Sequence, residues 1–68
     1  MTAPRFKGVL KEASAMTMDE LFLYKEYVSQ YLQWCDSGEG RKWLRSWMLR
    51  ISAKHLEELE KRMAVYSV

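Results

Sequence analysis

Sixty-eight residues make one domain at most, and a chain this short buries a core that is marginal when alone. Its 49% hydrophobic and 13% aromatic content excludes disorder, while the single cysteine, Cys35, and the single histidine exclude a disulfide framework and a Cys/His metal site. The net charge of +2 decides nothing alone, no run reads as a signal peptide or as a bilayer span, and the expected setting is the reducing cytoplasm.

Residues 1–16 admit two readings. Pro4 suits the first turn of a short helix ending near Ala15, with Phe6, Val9, Leu10 and Ala13 as a rough apolar face, although Gly8 weakens that helix. The alternative is an extended arm laid over the rest of the chain and anchored by Phe6, Val9 and Leu10.

Thr17 opens a clearer element. A hydroxyl at Thr17 and a carboxylate at Glu20 form a capping box, and Asp19 and Glu20 suit the positive end of a helix dipole. Leu21, Tyr24, Val28, Tyr31, Leu32 and Cys35 then recur at three- and four-residue spacing, which predicts a helix over about 18–35. Leu23, Tyr27 and Trp34 widen the apolar surface sideways, and Phe22 is left on the polar side. One neighbouring helix cannot cover all of it.

Residues 36–40, Asp-Ser-Gly-Glu-Gly, are a turn cluster, and so short a connection makes the flanking helices antiparallel neighbours. The second helix, about 41–65, carries two of the three tryptophans and two apolar stripes. Leu49, Ser52, Leu56, Leu59, Met63 and Tyr66 follow the a/d spacing of a coiled coil; Leu44, Trp47, Met48 and Ile51 form a second stripe, rotated by roughly a quarter to a third of a turn. Two buried stripes call for a second neighbour, so the Leu49 to Tyr66 seam is expected to close a homodimer. At about 1.5 Å per residue the second helix is roughly 37 Å long against about 27 Å for the first, so Leu59, Met63 and Tyr66 must meet the arm or another chain. The expected fold class is all-α: an antiparallel two-helix hairpin with an N-terminal arm, dimerising into a helical bundle.

The chemistry concentrates between residues 41 and 54. Arg41, Lys42, Arg45, Arg50 and Lys54 occur there with no acidic residue, and Trp43, Trp47, Arg50 and Lys54 share one helical stripe. Tryptophan with arginine is the composition of protein-interface hot spots, and also of surfaces that grip phosphates and stack on bases; alternatively, the tryptophans fill the hairpin's core beside solvated cations. A helix-turn-helix fits poorly, because both helices are long and only two are evident, and Glu57, Glu58 and Glu60 would repel phosphate.

His55, in line with Leu44, Met48 and Ile51, reads as a hydrogen-bonded core histidine, with a pH-sensitive contact as the rival reading. In a hairpin it lies about 20 Å along the axis from Cys35, too far for a nucleophile pair, and Cys35 reads as a small buried hydrophobe. No enzyme, cofactor or metal is expected. The expected role is a small interaction protein, a regulator, inhibitor or adaptor of a larger and possibly acidic protein. It would bind through Tyr27, Tyr31, Trp34, Arg41, Trp43, Arg45, Trp47, Arg50 and Lys54, partly exposed near the turn end. Non-specific nucleic-acid binding through the same stripe is the alternative, and a structural subunit or assembly chaperone is a third.

Overall fold

The computed structural model describes residues 2–66, apart from the side chain of Tyr66. The capping box closes at both ends: the Thr17 amide donates to Glu20 Oε1 at 2.9 Å, and the Glu20 amide donates to Thr17 Oγ1 at 3.2 Å. Helix α1 (Met18–Asp36) starts there. It stops where the Ser37 amide donates to the Gln33 carbonyl and Gly38 takes a positive φ of 91°, a conformation glycine adopts without steric cost. Helix α2 (Lys42–Tyr66) returns antiparallel to it. At Gly40 the loop runs so close to the end of α1 that a Cβ there would sit 2.8 Å from Cys35 Cα.

The core comes from one face of α1, with Leu21, Tyr24, Val28, Tyr31 and Cys35 buried, as their spacing predicts. Helix α2 adds Met48, Ser52 and Leu59. These three come from both expected stripes, because α1 lies over the boundary between them and each stripe contributes its inner members. The outer members stay out, with Trp47, Leu49, Ile51 and Met63 each about two-fifths exposed. Ser52 is tolerated at full burial because its hydroxyl donates to the Met48 carbonyl at 2.6 Å.

Residues 2–16 form an extended arm with one 3-10 turn, Ala13–Ala15, and not the helix that Pro4 suggests. Its anchors are also different from those expected. Phe6 meets Tyr24 edge-on with centroids 5.2 Å apart, but Val9 and Leu10 are 71% and 59% exposed. The second anchor is Met16, which lies just before the helix cap and is buried with Leu21 and Leu59. That is the geometry of a hydrophobic staple. Of the residues expected to meet the arm or another chain, Leu59 is met by the arm through Met16, Met63 is 41% exposed, and the side chain of Tyr66 lies outside the described residues.

The arm lies on one side of the hairpin only. It passes Leu23 and Tyr27 and reaches the distal half of α2. The opposite side holds a groove of about 160 Å³ along the two helices, between Lys25 and Leu32 of α1 and Leu56 and Glu60 of α2, which the described residues leave uncovered.

Candidate functional site: an aromatic and basic surface

Tyr24, Tyr27, Tyr31 and Trp34 follow one another at three- and four-residue intervals on α1, which places neighbouring rings in reach of each other. Centroid separations are 5.8 Å for Tyr24 and Tyr27, 6.1 Å for Tyr27 and Tyr31, and 5.5 Å for Tyr31 and Trp34. Phe6 begins this ladder from the arm, and Trp47 of α2 joins it at 6.5 Å from Tyr31. The rings thus run from the arm to the turn end as one packed row.

Exposure along the row divides the residues by role. Trp43 is 63% exposed and Trp47 38%, so both present apolar surface to solvent. Tyr27 and Trp34 are half-buried. Tyr31 is buried, contrary to the partial exposure expected of it, because it occupies the hairpin's core face beside Cys35 and Met48. It packs edge-on with Trp34 and at a tilt with Trp47. Burial raises the pKa of Tyr24, Tyr27 and Tyr31 above the ordinary value, since each phenolate would be poorly hydrated. Trp34 packs against Gly40, and its buried Nε1 has no hydrogen-bond partner among the described residues.

Of the basic residues, Arg45 is held by Asp36, its Nε donating to Oδ1 at 3.0 Å across the turn end. Arg41, Lys42, Arg50 and Lys54 are exposed, and none forms an ion pair among the described residues. Exposed tryptophans and these cations therefore share the stretch from Arg41 through the first half of α2. The seam residues divide differently: Ser52 and Leu59 are fully enclosed within the single chain, Leu56 is half-buried, and Leu49 and Met63 are each 41% exposed. The side chain of Tyr66 falls outside the described residues.

His55 is half-buried, its ring 4.8 Å from that of Tyr24 and its Nε2 2.7 Å from the Lys11 carbonyl oxygen. A carbonyl only accepts, so Nε2 is the donor, and the buried Nδ1 has no hydrogen-bond partner among the described residues. The partner of Nε2 is the arm. Beside it an open groove of about 530 Å³ separates Glu12 and Ser14 of the arm from Lys54 and Glu57 of α2, a lining of mixed charge. Among the described residues, no group of three or more His, Cys, Asp or Glu is placed to hold a metal ion, and no helix is long and apolar enough to cross a membrane.

Sequence reasoning missed Arg62. Its Nε donates to Glu58 at 2.8 Å, and its two terminal nitrogens donate to the carbonyls of Met16, Ala13 and Ser14. No sequence pattern announces backbone acceptors more than forty residues away. Met16 was legible in principle, as an apolar residue directly before a capping box. Compared with known protein families, curated proteins and solved structures, the chain matches none.

Proposed function

We propose that this chain is a small protein–protein interaction module, a binding protein and not an enzyme, that regulates, inhibits or adapts a larger protein from a cytoplasmic setting. The observation that carries this reading is the half-exposed Trp47, backed by the buried Tyr31 and flanked by the more exposed Trp43 and by Arg41, Arg50 and Lys54. A large ring packed against a buried neighbour loses little side-chain entropy on docking, and these three cations, which form no ion pair among the described residues, favour an acidic partner. Trp43 and Trp47 are the anchors, Tyr27 and Trp34 extend the contact, and the cations steer approach. In the same reading the module pairs with a second copy of itself.

The same cations beside a Trp43 ring that is 63% exposed also suit stacking on a single-stranded nucleic acid, which is the second reading. Capture from host lysate by the tagged protein, with and without nuclease and in parallel with Trp47→Ala, separates the two. A stoichiometric protein retained after nuclease and lost with Trp47→Ala is expected. Recovery of only nuclease-sensitive material, unaffected by Trp47→Ala, would overturn the first reading in favour of the second.

A further inference from the structure

We infer that the uncovered groove opposite the arm is where a second copy of this chain docks, with α1 of each copy lying antiparallel over α2 of the other. This deepens the self-pairing proposed above and depends on it. Leu49, Leu56 and Met63 stand seven residues apart along one edge of α2, and Leu32 lines the groove from α1. Leu49 and Met63 are each 41% exposed, while Leu32 and Leu56 are half-buried. The arm cannot cover these residues, because Phe6, Lys11 and Met16 hold it to the other side.

Charge selects the occupant and its orientation. Lys25 on one rim and Glu60 on the other line the groove, and neither forms an ion pair among the described residues. The further charged pair, Asp36 and Arg45, is neutral as a unit. The groove lining itself holds one cation and one anion, neither ion-paired among the described residues, and such a lining complements itself through a two-fold axis. Two such axes are available in the plane of the interface.

Asp36 lies level with Arg45, and Leu21 packs with Leu59, so at about 1.5 Å per residue Leu32 is level with Leu49 and Lys25 lies within about one turn of Leu56 and Glu60. An axis across the helices would put each α1 over α1 of the other copy and bring Lys25 against Lys25 of the partner subunit. An axis along the helices puts α1 over α2 of the other copy, sets Leu32 against Leu49 of the partner subunit, and brings Lys25 to Glu60 of the partner subunit. Only the second pairs opposite charges. It also leaves both arms and both tryptophan surfaces outside the four-helix bundle, with the two turn ends together, so that the assembly is bivalent.

Sedimentation equilibrium of the full chain over a wide micromolar range tests this, with circular dichroism to show that each variant folds. The wild type is expected at twice the 8.1 kDa chain mass. Leu49→Asp should shift it to monomer, Lys25→Glu and Glu60→Lys should each weaken the dimer at least tenfold, and the double variant should recover it. Trp43→Ala should leave it unchanged. A wild-type monomer at several hundred micromolar overturns both the pairing and this geometry. A dimer that Leu49→Asp leaves intact, or that the charge-swapped double variant fails to recover, overturns the geometry alone.

Discussion

The guanidinium of Arg62, near the end of α2, donates a hydrogen bond to the carbonyl of Met16, and so ties the arm to the far end of the hairpin. The same side chain reaches the carbonyls of Ala13 and Ser14, each at 3.3 Å, and is oriented by Glu58. Charge-assisted bonds to backbone acceptors are worth about 1.5–3 kcal/mol each when removed, and these three share one donor group. Arg62→Ala is expected to destabilise the protein by about 2 kcal/mol. It should also free residues 2–16 for rapid amide exchange while the helices stay protected. Arg62→Lys should rescue little, because a single ammonium cannot present the planar fork that three carbonyls share.

Met48 has no exposed surface and touches the buried ring of Tyr31 and its neighbours. Met48→Ala removes its buried volume without a side chain free to refill it, a change that costs about 2–5 kcal/mol. In a domain this small, that is much of the total stability. Urea unfolding should show a lower midpoint for Met48→Ala and a nearly unchanged one for Ser46→Ala, whose side chain is exposed.

The two loop glycines should respond differently to alanine. At Gly40 the new Cβ would lie 2.8 Å from both Cys35 Cα and Trp34 Cζ3, so the loop or the end of α1 must shift, at about 1–3 kcal/mol. At Gly38 there is open space, and the cost is only that of a left-handed residue, about 1 kcal/mol. Thermal unfolding of both variants checks the order. Equal losses would mean that the Gly40 contact is not limiting.

Opposite pH limits follow from two sets of groups. Glu20 is held below its ordinary value of 4.5, first by the Thr17 amide and then by Lys11, whose Nζ lies 2.9 Å away. Its contribution is present above that value and lost as pH falls through the lower, folded one. Glu20→Gln should therefore flatten the acid limb of stability against pH. Tyr24, Tyr27 and Tyr31 have raised pKa values, first through burial, so their contribution is full below 10.0 and lost as pH rises through the folded values. Tyrosinate absorbance should appear together with loss of helical signal above pH 10, later than in a model peptide.

The helices were legible because their signals are local. The capping box at Thr17 and the period from Leu21 to Cys35 name α1 and its buried face, and the glycines of the turn set the antiparallel return. What α2 buries was not legible, because two stripes on one helix do not say which neighbour takes which. The position of α1 between them encloses Ser52 and Leu59 within the single chain and leaves Trp47 outside. Tyr31 carried two expectations, buried by its spacing on α1 and partly exposed by its place near the turn end, and the spacing decides it. The arm was least legible, since its path depends on Phe6 meeting Tyr24 and on carbonyls bound by Arg62, contacts between residues remote in sequence.

Whether the exposed tryptophans, and not the groove, meet the foreign partner is tested most directly by the amount of nuclease-resistant protein retained by three baits compared with wild type: Trp43→Ala, Trp47→Ala and Leu49→Asp. Loss of at least tenfold with either tryptophan variant, and full retention with Leu49→Asp, is the expected result. Retention by both tryptophan variants and loss with Leu49→Asp would contradict it and move the binding site to the opposite face of the hairpin.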